Sequence, residues 1–152
     1  MTTRRAVVTG ASSGIGEAVV RALRASGWDV VGVARRAERL AALDAEVGSR
    51  SFAADLTSEA DVAALAAHVA STGDVHALVH VAGGARGTDR VEDGSPEDWR
   101  WMFEANVLST QLVTAALLPL LRGGIRAGGG HADTLYVTST AAQTAYPGGA
   151  GY

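Results

Sequence analysis

Short apolar runs alternate with amphipathic stretches along the whole chain. Ala6–Thr9 is apolar and β-branched and runs into the turn Gly10–Gly16. A helical repeat with Val19, Val20, Ala22 and Leu23 follows and stops at Gly27, where a C-terminal cap belongs. Asp29–Val33 is apolar without alternation, as in a strand covered on both faces. Arg36–Val47 predicts a second helix with Leu40, Leu43 and Val47 on one side, and Arg50–Ala53 a short third strand. Ser58 heads a helix reaching about Ser71, with Asp61 completing a capping box and Val62, Leu65, Ala66 and Val69 facing inward. Ala77–Val81 is a fourth strand. Ser95-Pro96-Glu97 has the residues of a helix start: a serine cap, proline in the first turn and acids beside it. That helix is expected to run to about Leu121, with Pro119 helping to end it. Gly123–Gly130 reads as a flexible loop, Thr134–Thr138 as a fifth strand, and the remainder as a polar loop.

Strict alternation of strand and helix predicts an α/β fold, a doubly wound parallel sheet with right-handed crossovers and helices on both faces. No linker interrupts the pattern, so residues 1–152 are expected to form one domain. A fifth strand with no further neighbour would be an exposed apolar edge.

Composition narrows the chemistry. The chain has 152 residues, 47% hydrophobic and 19% charged, which is globular rather than disordered. A net charge of −3 gives no electrostatic reason to expect nucleic acid as a partner. All 13 basic residues are arginine, and there is no cysteine, which excludes disulfides, thiolate metal sites and cysteine nucleophiles. The apolar stretch after Arg4-Arg5 is too short for a signal peptide, and no run approaches ~18 apolar residues. The expectation is a soluble cytoplasmic protein with no membrane contact.

The turn Thr9-Gly10-Ala11-Ser12-Ser13-Gly14-Ile15-Gly16 follows a strand and opens a helix. Gly10 permits a tight turn, Gly14 a close ligand approach and Gly16 close packing of the helix. Free amides at the helix start, with the positive end of its dipole, favour a pyrophosphate. A plain tight turn is the competing reading. Past the second strand, a carboxylate about 20 positions beyond the glycines would bind the ribose 2′-hydroxyl of NAD(H). Arg35 and Arg36 stand there instead, and two guanidiniums suit a 2′-phosphate, which favours NADP(H). Solvated arginines starting a helix are the alternative.

At this point the chain resembles the short-chain dehydrogenase/reductase family, from Arg4 to Tyr152. The stretch Thr9–Gly16, with Ser12, Ser13 and Ile15, is similar to that family's cofactor loop. Asp55-Leu56 resembles its adenine-contacting pair, and Ala82-Gly83 the end of its Asn-Asn-Ala-Gly motif. Asn106 matches its helix asparagine, and Ser139 and Tyr152, 13 residues apart, match its serine and tyrosine. The resemblance implies a Rossmann-like fold and hydride transfer between NADP(H) and the carbon of a small-molecule carbonyl or secondary alcohol. It assigns Tyr152 as general acid, Ser139 as hydrogen-bond donor to the substrate oxygen, and Asn106 as the residue ordering a relay water. Without it, Ser139 reads as a strand-end hydroxyl, and Asn106 as either a satisfied core residue or a functional one.

Two departures stand out. His80 and Val81 occupy the place of the family's two asparagines, and the lysine that the family carries four residues after the tyrosine is absent. The resemblance also implies a further helix, two more strands and a substrate loop after the tyrosine, so the chain is expected to be truncated after its fifth strand, a fragment or the ordered portion of a longer protein, with little turnover alone. A catalytically silent NADP(H)-binding module is the alternative. Apolar residues around the helix 97–121, among them Trp101, Leu108, Leu112 and Leu118, allow a homo-oligomer through that helix or burial within one chain.

Other chemistries fare worse. His76 and His80 on a strand would stand roughly 13 Å apart, too far to share a zinc ion, and no metal site is expected. A lysine-dependent phosphate loop has no lysine, and Ser12 and Ser13 lack the frame of a hydrolase elbow. A methyltransferase of similar fold would leave Asn106, Ser139 and Tyr152 unexplained.

Overall fold

The computed structural model describes residues 3–87, 89–128, 130–144 and 146–152. Its elements in chain order are β1 (Arg5–Thr9), α1 (Gly14–Ala25), β2 (Asp29–Ala34), α2 (Ala37–Val47), β3 (Arg50–Ala53), α3 (Glu59–Ala70) and β4 (Ala77–His80). Then come α4 (Pro96–Phe103), a π-helical turn (Glu104–Leu108), α5 (Ser109–Gly128), β5 (Asp133–Tyr136) and a 3-10 turn (Thr140–Ala142).

The strands form one parallel sheet in the order β3-β2-β1-β4-β5. The chain winds outward from β1 to β3, then crosses back to place β4 on the other side of β1. That reversal opens a crevice beyond the carboxyl ends of β1 and β4, where open α/β sheets bind ligands. Alternation along the strands sends side chains to two separate cores. Val7, Val31, Val33 and Leu78 pack with Leu65 and Val69 of α3 and Val113, Leu117 and Leu121 of α5. Val8, Val30 and Val79 pack with Val20 of α1 and Leu40 and Leu43 of α2 on the opposite face. The unbroken hydrophobicity of β2 is thus explained: both of its faces are covered.

Local signals set several boundaries. Gly27, at φ 81°, lets the chain leave α1, with its N–H on the Arg24 carbonyl and the Trp28 N–H on that of Leu23. Ser58 Oγ accepts from the Asp61 N–H, while Asp61 carboxylate oxygens accept from the Ser58 hydroxyl and from the Asp55 N–H.

The long helix departs from expectation in three ways. It does not stop near Leu121 but continues to Gly128, so Pro119 lies inside it and Gly123–Gly128 is helix rather than loop; Gly129 lies outside the described residues. Gly123 and Gly124 make this continuation possible. A Cβ on either would overlap the Asp74 carboxylate or the Val75 carbonyl, and the Val75 N–H reaches the Leu120 carbonyl at 3.2 Å. The two glycines therefore serve close packing onto the segment before β4, not chain reversal. Second, the helix contains the π turn. Third, Pro96–Arg126 is long and apolar enough, by length and composition, to cross a membrane, although polar residues interrupt its apolar runs. Part of that apolarity is buried against the sheet through Val113, Leu117 and Leu121.

β5 is one residue earlier and shorter than expected, and Ser139 lies beyond it rather than at its end. It forms the edge of the sheet, with Leu135 53% and Tyr136 47% exposed. Phe103, Val107 and Leu108 on the long helix are also exposed.

Candidate functional site

The carboxyl edge of the sheet carries an open cleft of about 610 Å³. It is lined by Gly10, Ser12, Ser13 and Ile15 after β1, Arg35 and Arg36 after β2, Asp55 and Leu56 after β3, and Ala82 and Gly83 after β4. Turns far apart in the sequence meet here because each parallel strand delivers its carboxyl end to the same edge.

The glycines of the first turn have distinct reasons. Gly10 has φ 68°, and a Cβ on it would lie 2.9 Å from the Ala82 amide nitrogen, so the turn lies directly against the segment after β4. A Cβ on Gly16 would overlap the Gly10 carbonyl oxygen; it is the turn itself, rather than the sheet, that α1 approaches. Gly14 has φ 55°, and a Cβ placed on it would meet nothing within 4 Å, so space is open on that side. Neither Gly14 nor Gly16 is among the residues lining the cleft.

Polar contacts fix the walls. Thr9, buried at the end of β1, accepts at its hydroxyl from the Val81 and Ala82 N–H groups at 3.0 and 3.1 Å. Asp55 accepts from the Thr57 N–H and hydroxyl; these bonds, with the charge of Arg35, hold its carboxyl below the ordinary value against the opposing effect of burial. Arg36 bonds to Ser12 and Ser13.

Asn106 sits within the π turn, the kind of helical distortion that often marks a functional site. Its Oδ1 accepts from the Gly84 N–H and its Nδ2 donates to the Gly84 carbonyl, both at 2.8 Å. A Cβ on Gly83 would lie 2.5 Å from that Oδ1, so the glycine is needed for the clamp. The side chain of Asn106, the residue expected to order a relay water, is engaged with the segment after β4. Ser139 Oγ accepts from the Ala141 N–H and starts the 3-10 turn, and the Tyr152 N–H bonds to the Gly149 carbonyl. Asn106, Ser139 and Tyr152 do not line the cleft. The cleft brings together the expected cofactor-side residues other than Gly14 and Gly16.

His80 fills the asparagine position by packing as well as by hydrogen bonding. The residue is 4% exposed, its ring stacks on Tyr136 at 4.9 Å, and it shares a 3.0 Å hydrogen bond between Nε2 and the Thr114 hydroxyl. Burial pushes its pKa down to about 4. Val81, which has no polar side chain, is tied through its backbone to Thr9.

Several wall residues do not stand out as functional in the sequence: Trp101, Glu104, Ala105 and Ser109 on the long helix. The spacing of 101, 105 and 109, one helical face, is a readable signal.

A family model described as short chain dehydrogenase matches residues 4–152. An uncharacterized oxidoreductase of Mycobacterium tuberculosis is 52% identical over 149 residues, which are 98% of this chain and 56% of that protein. An NADP-dependent 3-hydroxy acid dehydrogenase of Salmonella typhi is 34% identical over 146 residues, covering 94% of this chain and 57% of that one. Among solved structures, the closed form of a serine dehydrogenase complexed with NADP+ superposes with a TM-score of 0.86 at 31% identity, covering 96% of this chain and 58% of that one. The chain thus spans just over half the length of these curated relatives.

Proposed function

The chain belongs to the short-chain dehydrogenase family, and on that premise we propose that it forms the nucleotide-binding part of an NADP(H)-dependent oxidoreductase acting on a carbonyl or secondary alcohol. The observation that carries this reading is the meeting of the glycine turn, Arg35 and Arg36, Asp55-Leu56 and Ala82-Gly83 around one cleft. Its volume of about 610 Å³ is within the usual span for small-molecule sites, ~300–1,000 Å³. The open side of Gly14 and the start of α1 suit an approaching phosphate. The similarity to an NADP-dependent hydroxy acid dehydrogenase and to an NADP+-complexed serine dehydrogenase supports the choice of cofactor and makes hydroxy acids the substrate class to test first.

In this reading the first-turn amides of α1 hold the diphosphate, a guanidinium after β2 holds the 2′-phosphate, and Asp55 and Leu56 bound the adenine end. NADP(H), when bound, supplies or accepts the hydride. Reduction builds negative charge on the substrate oxygen; Ser139 donates a hydrogen bond to it and Tyr152 gives it a proton. An unperturbed phenol titrates near ~10, so proton exchange at neutral pH needs a positive neighbour. No lysine is present in this sequence to act as one. Asn106 serves this arrangement by fixing Gly84, the neighbour of the cleft-lining Gly83.

A second reading, nucleotide binding without turnover, is favoured by the position of Asn106, Ser139 and Tyr152 outside the cleft lining. Titration of NADPH and NADH by nicotinamide fluorescence, followed by an assay with a 3-oxo acid and NADPH, separates the two. Tighter binding of NADPH with turnover supports the first, binding alone supports the second, and failure to bind either nucleotide rejects both.

A further inference from the structure

The two arginines after β2 have different surroundings. Arg36 turns back onto the glycine turn. Its Nε donates to Ser12 Oγ at 3.1 Å, and its Nη2 donates to Ser12 Oγ at 2.9 Å, to the Ser12 carbonyl at 3.4 Å and to Ser13 Oγ at 2.7 Å. Arg35 lines the same cleft but makes no side-chain hydrogen bond among the described residues, and its charge acts on Asp55.

Ser13 is the residue that should cap α1. An N-cap serine ordinarily accepts from an N–H two or three residues on. Ser58 and Ser95 do so at the starts of α3 and α4, accepting from the Asp61 and Glu97 N–H groups. Ser13 makes no such bond, although its extended backbone is suited to a cap. Its hydroxyl is held by Arg36 instead, and the first turn of α1 is left without a side-chain cap.

We infer that Arg36 is a positioning residue that withholds Ser13 from capping α1 and so keeps the first-turn amides open to a nucleotide diphosphate, which leaves the 2′-phosphate contact of the cofactor reading to Arg35. This rests on the cofactor reading above and divides between two arginines a task that the sequence assigns to both. If Arg36 is removed, Ser13 is free to cap α1 and competes with the diphosphate that NADPH and NADH share. Both nucleotides then weaken equally. If Arg35 is removed, only the nucleotide with a 2′-phosphate weakens.

The test is the dissociation constant of NADPH and of NADH, read by nicotinamide fluorescence, for wild type, R36M, S13A, R36M/S13A and R35M. R36M is expected to weaken both nucleotides about fivefold, the size of one capping hydrogen bond, with their ratio unchanged. In the S13A background the same change is expected to have less than about a twofold effect, because no hydroxyl remains to compete. R35M is expected to reduce the preference for NADPH by about tenfold or more. The inference is overturned if R36M weakens NADPH selectively, or if its effect is the same with and without the Ser13 hydroxyl. A wild-type chain that binds neither nucleotide overturns the cofactor reading and this inference together.

Discussion

Acid should loosen the join between β4 and α5 through one side chain, His80. The ring is buried between Thr114 and Tyr136, and burial lowers its pKa from 6.5 to about 4. In the unfolded chain the imidazole takes up a proton near pH 6.5; in the folded chain it resists. The unfolded state therefore binds more protons between these values, and stability falls as the pH falls. The contribution is intact above pH 6.5 and declines toward pH 4. With a folded value of about 4, the loss attributable to His80 is about 2 kcal/mol at pH 5 and about 3 kcal/mol at the acid limit. Urea unfolding followed by circular dichroism at pH 8, 7, 6 and 5 measures it, with H80N as the reference because asparagine does not titrate. Carboxylates that titrate in the same range cancel in the difference. Wild type should lose about 2 kcal/mol more than H80N between pH 8 and pH 5. Parallel decline of the two proteins would refute a neutral, buried His80.

The other predictions concern the turns around the cleft. G16A places a methyl group on the Gly10 carbonyl and should displace the glycine turn, abolishing NADPH binding and destabilising the fold by about 1–3 kcal/mol, as fluorescence titration and a thermal melt will report. N106A removes both hydrogen bonds to Gly84 and should destabilise by about 1–3 kcal/mol; faster amide exchange at Gly84 than in wild type is the local signature. S58A removes the cap of α3, a loss of about 1 kcal/mol in urea unfolding that should leave nucleotide affinity unchanged.

The sequence by itself determined the order and kind of the elements. Apolar runs of strand length, helical repeats, the serine caps at Ser58 and Ser95 and the glycine at 27 act through a residue's own backbone or its neighbours within a turn. Their effects are therefore legible locally, and the parallel sheet follows from their alternation. The meeting of the turns after the strands at one cleft was legible for a related reason: in such a sheet, residues just past each strand must share one edge. What only the tertiary structure decided depends on partners far apart in the chain. Pro119 and Gly123 look like helix terminators, yet α5 runs on because glycines at 123 and 124 let it lie against Asp74 and Val75. Ser13 looks like a cap, yet Arg36, 23 residues away, holds its hydroxyl. His80 reads as a stand-in for asparagine, while its bond runs to Thr114, 34 residues on. Local sequence sets what a side chain can donate, accept or bury; packing decides which group is there to meet it.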